Sequence, residues 1–463
     1  MTLRSPWRSV GLFGVAAALA ALWPLSAYAA SPLVLPLVLF AAAVAAIVVS
    51  RPQYGVALAA ALAPIADIHI GEHHPLTYLL LAIVAVLVAY GIVLGRLRGA
   101  TLPGVGIAAI VFLVVVTAAD VQALEPHLSL PQLRWLAAAV GLLLATLMFC
   151  RTRRSLVVVA AGAVLGLALA GGQGIFQELS GTFSSVEILV HGQVVRRIQG
   201  SFGHPNSFAG YLAVYIPLAA AIALSRAFSL PLRAFSVLAL ALALVSLDYT
   251  NTRAAVVALA AGAVIWLAVV HPRAAVAAVM VLAIGTAALL PSTLTERLQS
   301  TSGGEVGLRT DIWGSALDIA SQHPLFGVGG GNFPVAYSEL PSTPAFASQR
   351  RLLHGAQEVV PPHAQSLYLN ILAEDGMIGI VAFTLLAIAA VGTAYRASHV
   401  RDPQGRAIGL GLGVGLMVLA VHSVFELTSF DGERLEMPLF ALLAVAAIYI
   451  RADRAEPAPA LAD

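Results

Sequence analysis

LTYLLLAIVAVLVAYGIVLGRLR, Leu76 to Arg98, carries no charge until Arg96 and Arg98 close it. Its apolar part, 76–95, is about 20 residues long, enough for a helix to cross a hydrocarbon core of about 30 Å. Runs of the same kind recur near 9–29, 33–50, 55–68, 104–119, 132–150, 155–172, 207–225, 234–248, 254–270, 274–290, 376–395, 407–428 and 438–450. They make about fourteen spans, with about twelve as the other count. The segment 55–68, which holds Pro64 and Asp67, is short enough to be re-entrant. With 59% of the chain hydrophobic and 10% charged, the expected fold class is an all-α polytopic membrane protein with a helical extracytoplasmic loop domain.

The arginines closing the opening run also orient it, because short cytoplasmic loops retain positive charge. Arg4, Arg8, Arg51, Arg151, Arg153, Arg154, Arg226, Arg233, Arg273, Arg396, Arg401, Arg406, Arg451 and Arg454 fall on the same side as Arg96 and Arg98. Both termini are therefore expected in the cytoplasm. The long connections face the periplasm or cell exterior. The chain divides into N-terminal spans over 1–172, spans with a first long loop (173–206) over 173–290, a large outer loop over 291–363, C-terminal spans over 364–450 and a tail over 451–463. The large loop is too long for a mere link and is the natural home for function. The N-terminus, with Arg4 and Arg8 ahead of an apolar centre and Ala-Tyr-Ala, resembles a secretory signal peptide, and is read as an uncleaved first span because a second follows at once.

Composition removes several function classes. The net charge of +2 gives no reason to expect a nucleic-acid partner, and Cys150, the one cysteine, rules out an internal disulfide and any CxxC cluster. His73-His74 lacks a third ligand nearby, so no metal site is expected. GVGGGNF, Gly327 to Phe333, has the glycines of a phosphate-cradling loop but no following Lys-Ser/Thr, and reads better as a tight turn after His323-Pro324.

Four polar clusters remain at outer span ends: RRIQGSFGHPNSFAGY from Arg196, DYTNTRAA from Asp248, GLRTDIWGSALDIASQHPLFGVGGGNF from Gly307, and PPHAQSLYLNILAEDGMIGI from Pro361. Arg197, Arg253 and Arg309 run against the orientation bias there. Each alone is explained by snorkelling or by a nearby acid such as Asp248 or Asp311. Three in separate loops suit a diphosphate, whose oxygens a guanidinium grips in bidentate fashion. His363, where the large loop returns to the membrane, is either a loop histidine bonded to backbone or a general base. Gln365 and Asn370 supply donors or acceptors near it. Glu374 either orients the histidine, binds sugar hydroxyls or caps the helix at Gly376.

Taken together, the clusters resemble the O-antigen ligase and polymerase family of bacterial membrane glycosyltransferases. RTDIWGSALDIASQHPLFGVGGGNF and HAQSLYLNILAEDGMIGI are similar to the family's Arg-x-x-x-Trp, His-Pro-Leu-x-Gly-x-Gly and His-x-x-x-Leu/Tyr-x-x-x-x-x-Glu-x-Gly elements. GSFGHPNSFAGY and TNTRAA are similar to its Gly-x-x-x-x-Pro-Asn-x-x-Ala and Ser-x-Ser-Arg-Gly elements. The resemblance covers roughly 195–435; Thr252, Ala254 and Ala364 depart from the family's pattern. It implies a GT-C-like, metal-independent, inverting transferase without cofactor. Such an enzyme takes a glycan from undecaprenyl diphosphate on the outer face of the bacterial plasma membrane and passes it to a sugar hydroxyl of lipid A-core or of another lipid-linked repeat. By the same resemblance His363, Arg253 and Arg309 are the expected catalytic residues. Arg197, Asn206, Trp313, Gln365 and Glu374 are the expected substrate-binding ones. The competing class is a flippase or exporter of lipid-linked sugars, which would place its charges within spans along a central path.

Overall fold

The computed structural model describes residues 46, 48–68, 74–96, 102–183, 188–190, 193–271, 273, 305–340, 361–427 and 435–455. The expected spans at 9–29 and 274–290, nearly all of 33–50, His73 and the end of the tail lie outside them. Within them the chain is a polytopic helical membrane protein. Nine helices are long and apolar enough to cross a bilayer, counted among the described residues.

The order begins with α1 (Pro52–Leu62), α2 (Pro75–Val93), α3 (Gly104–Val121), α4 (Pro126–Phe149) and α5 (Arg153–Ser180). A short antiparallel hairpin follows, β1 (Ile188–Val190) and β2 (Gln193–Val195). Then come α6 (Pro205–Leu224), α7 (Leu230–Tyr249), α8 (Arg253–Val270), α9 (Glu305–Gln322), α10 (Phe333–Glu339), α11 (Leu367–Glu374), α12 (Gly376–Ala397), α13 (Pro403–His422) and α14 (Glu436–Ala455). Several helix bounds differ from the sequence reading. The fifth helix continues to Ser180, eight residues past the expected span end at 172, because the polar residues after Gly172 interrupt the apolar run without breaking the helix. The segment around 55–68 is a helix followed by a 3-10 turn at Ala63–Ile65, and Asp67, beyond it, meets His74 Nδ1 at 2.9 Å.

In a bilayer the apolar effect does not drive helix against helix, so close packing of small residues must do it. GRAIGLGLGVG in α13 is built for that. Gly411 and Gly415 lie against the α6 backbone at Leu218 and Val214, Gly409 against Ala397 of α12, and Gly413 under the Trp266 indole of α8. α13 thus wedges between three neighbours. α14 is buried almost along its whole length and supports α4 and α12.

At one end of the bundle the segment after α9 fastens the loop helices to the membrane helices. The amides of Val328 and Gly329 donate to the carbonyls of Ala373 and Glu374, and those of Met377 and Ile378 to Pro324 and Leu325. Gly330 N–H donates to Asp120 of α3 at 2.8 Å, Ser129 Oγ of α4 to Gly330 O at 2.8 Å, and Phe333 N–H to Glu374 Oε1 at 3.2 Å. Gly327 and Gly376 have φ of +67° and +69°, and a Cβ on either would run into the opposing backbone, at Glu374 and Leu325 respectively. GVGGGNF is therefore a clasp whose amides face protein acceptors.

Candidate functional site

The same end of the bundle collects the starts of α6, α8 and α9, the loop before α11 and the end of α13. Arg197 enters from the strand-to-α6 connection and is 5% exposed. Its Nε donates to Thr250 O at 2.7 Å and its Nη2 to Thr252 Oγ1 at 2.8 Å and to Asn206 Oδ1. Asn206 in turn donates to Glu426 Oε1. Arg309, on the first turns of α9, reaches the same Glu426 oxygen at 3.0 Å and donates to Phe425 O at 2.8 Å. One chain of contacts, Thr252–Arg197–Asn206–Glu426–Arg309, thus ties four elements together. Burial pushes the Glu426 carboxyl above its usual range, and Arg309 and Asn206 pull it part of the way back.

Arg253 is the first residue of α8 and is exposed. The Thr252 hydroxyl before it donates to Asn206 Oδ1 at 3.2 Å instead of capping the helix, so the first amides of α8 have no side-chain cap. A cationic side chain beside an uncapped helix N-terminus favours an anion. Asn251, just ahead, has φ +51°. Asn251 and Gln365 are the two non-glycine residues with positive φ among the described residues, and each stands two residues from a candidate, Arg253 and His363.

His363 is partly buried. Its Nδ1 accepts the backbone N–H of Gln365 at 3.1 Å, made possible by the left-handed turn at Gln365. His204, N-cap of α6, repeats the arrangement: its Nδ1 accepts Asn206 N–H at 3.1 Å. Burial first, then Arg197 and Arg309, push the His204 imidazole down to about 4; burial first, then His204, do the same for His363. Both rings are therefore neutral near pH 7. A neutral imidazole whose Nδ1 accepts a hydrogen bond carries its proton on Nε2.

The other expected residues divide. Trp313 lies one turn beyond Arg309 on α9, its ring centroid 6.4 Å from that of Phe425 and its buried Nε1 without a hydrogen-bond acceptor among the described residues. Glu374 does not meet the histidine. Its Oε1 takes the Phe333 amide and its Oε2 takes Asn370 Nδ2 at 2.7 Å, while Asn370 Oδ1 takes the Ala364 amide at 3.1 Å. Glu374 reaches the residue after His363 through Asn370, which makes it a positioning residue, and burial first raises its carboxyl to about 7. Among the described residues no group of three His, Cys, Asp or Glu side chains is placed to hold a metal ion.

Sequence reasoning passed over Glu426 and gave His204 no role. Glu426 falls inside the apolar run read as 407–428, whereas α13 ends at His422 and leaves it in the following turn. The signal for His204 was its place in GHPN, immediately before an N-terminal proline.

A helical membrane bundle with arginines, histidines and a buried carboxylate gathered at one end defines a class: a multi-pass protein with a polar site at the bundle's rim. Residues 238–384 match the family model described as O-antigen ligase, Wzy_C. That match supports assignment to the O-antigen ligase and polymerase family and a role in polysaccharide biosynthesis with glycosyltransferase-like activity. The matched segment contains Arg253, Arg309, Trp313, His363, Gln365 and Glu374; Arg197, His204, Asn206 and Glu426 lie outside it. No curated protein matches the chain.

Proposed function

We propose that the protein transfers a glycan from undecaprenyl diphosphate to an acceptor sugar hydroxyl, at the outer face of the bacterial plasma membrane. The observation that supports this reading is the chain of contacts Thr252–Arg197–Asn206–Glu426–Arg309, which puts Arg309 in one network with Thr252, the residue before Arg253, and has His204 within electrostatic reach of its arginines and of His363. A lipid diphosphate reaches that depth from the bilayer itself. Arg309, aimed by Glu426 and Phe425, and Arg253, beside the uncapped start of α8, bind the diphosphate. The acceptor oxygen attacks the anomeric carbon as the bond to the diphosphate breaks. The leaving group takes the electron pair, and fixed cations act most strongly on that growing charge. Attack from the opposite face inverts the configuration, and the residues named do this without a metal.

The hydroxyl proton has two destinations in this geometry. His363 Nε2 can take it only if Nδ1 gives up the Gln365 amide and carries the proton instead. Glu426, with one oxygen held by Asn206 and Arg309 and a carboxyl raised by burial, is the other. Trp313 and Gln365 contact the sugars, while Arg197 and Asn206 hold the site's frame.

Arg253→Ala and Arg309→Ala tests the donor half: each is expected to lose binding of undecaprenyl diphosphate together with turnover. Unchanged binding in both would remove the lipid diphosphate from this site. Feeding the purified protein a lipid-linked repeat alone separates the acceptors. Laddered products identify a polymerase; strict dependence on added lipid A-core identifies a ligase.

A further inference from the structure

His204 and His363 share one pose and are close enough for His204 to oppose protonation of His363, and the function proposed above uses one of them. Each sits in a His-x-Asn or His-x-Gln stretch that leads into a helix, with Nδ1 filled by the amide two residues on. Neither Nε2 makes a hydrogen bond to the protein among the described residues, and both histidines are partly exposed. Arg197 and Arg309 lie close enough to His204 to oppose its protonation, so the ring faces a region of positive charge. A neutral N–H donor among cations has one natural ligand, an anionic oxygen.

We propose that His204 is a further substrate-binding residue, donating Nε2–H to a phosphate oxygen of the lipid diphosphate beside Arg309, with His363 next to it held in the same tautomer as a second donor. The inference rests on the lipid-diphosphate reading. Its charge logic is that arginine supplies the attraction while the imidazole supplies direction, since a fixed Nε2–H accepts only an oxygen on its axis. Asn206 makes the placement rigid. Its amide fills His204 Nδ1 while its side chain holds Arg197 and Glu426, so α6 cannot shift without undoing the chain of contacts that aims Arg309.

The test separates the two nitrogens. Asn in place of His204 keeps an acceptor near the Nδ1 position, where it caps α6 well, but has nothing at Nε2. Gln places an amide donor near Nε2 and caps poorly. Affinity for undecaprenyl diphosphate, with undecaprenyl phosphate for comparison, is measured on the full chain in nanodiscs. His204→Gln is expected to stay within about 3-fold of wild type for the diphosphate, and His204→Asn to weaken by about 10- to 100-fold, the loss of one hydrogen bond to a charged group. Thermal unfolding should rank them the other way, Asn above Gln. Diphosphate affinity in His204→Asn equal to wild type would overturn the proposal and leave His204 as a cap. Failure of the wild-type protein to bind the diphosphate at all would instead overturn the reading on which it rests. ¹⁵N-histidine NMR supplies a second check, since protonated Nδ1 on His204 at pH 7 contradicts the donor role.

Discussion

Arg309 has given two of its donors to Glu426 and Phe425, so the direction of its remaining N–H groups is set before any ligand arrives. Lysine has no fork with which to keep both contacts and still reach a phosphate. Arg309→Lys is expected to weaken undecaprenyl diphosphate binding by 10-fold or more, on the order of 1.4 kcal/mol; wild-type affinity would show that charge alone is wanted. His363→Gln against Glu426→Gln decides where the proton goes. If Glu426 takes it, Glu426→Gln keeps donor binding and loses about 10²- to 10⁴-fold in kcat, while His363→Gln retains most of the activity. The reverse pattern returns the proton to His363. The pH profile adds a sign. Because both imidazoles are pushed down to about 4, they stay neutral from pH 8 to about pH 5, and donor affinity should show no step near 6.5 as pH falls. A histidine that works as a cation would show binding rising through that range. Arg253, Arg309 and His363 stand out in the sequence as candidates because permanent charge on the side expected to be translocated, or an imidazole between a loop and a span, is costly without a use. Glu426 does not, since a carboxylate at the end of an apolar run reads as the span's edge until the helix is seen to stop at His422.

At the scale of elements, the clasp from His323 to Phe333 decides whether α9, and with it Arg309 and Trp313, stays over the bundle. Gly327→Ala and Gly376→Ala each force a left-handed φ on alanine and push a methyl into opposing backbone, at an expected cost of about 2 kcal/mol or more. Gly314 on α9 has open space around it, and Gly314→Ala should stabilise by up to about 1 kcal/mol. Unfolding in detergent measures both; a harmless Gly327→Ala would mean that α9 is held by something else. The tight turn was readable from the run of glycines. Its use was not, because the acceptors for its amides are Ala373, Glu374 and Asp120, dozens to hundreds of residues away in sequence. The glycines of α13 are a similar case: their spacing is local, while the backbones of α6 and α12 that they admit are not.

Among the described residues an arginine-rich end of the bundle is separate from the end with the candidate site, and the proposed direction of that polarity can be measured. Reporters fused after Arg154 or Arg406 are expected to register as cytoplasmic and one near Ser342 as external; a cytoplasmic Ser342 would part the site from its lipid diphosphate. The helical membrane class was plain from runs such as 76–95, whose length alone matches a bilayer. Helix ends were less so, as at Ser180, because hydropathy marks where lipid ends and hydrogen bonding marks where the helix ends. The central claim is that a glycosidic bond is made at this site from a lipid diphosphate, and the most direct measurement follows both products together. Wild-type protein and Arg309→Ala are reconstituted with an undecaprenyl-diphosphate-linked repeat and acceptor. The expected result is one equivalent of free undecaprenyl diphosphate for each new glycosidic bond with wild type, and neither with the variant. Movement of the intact glycolipid across the vesicle, with no new bond and no free undecaprenyl diphosphate, would contradict it and identify a transporter.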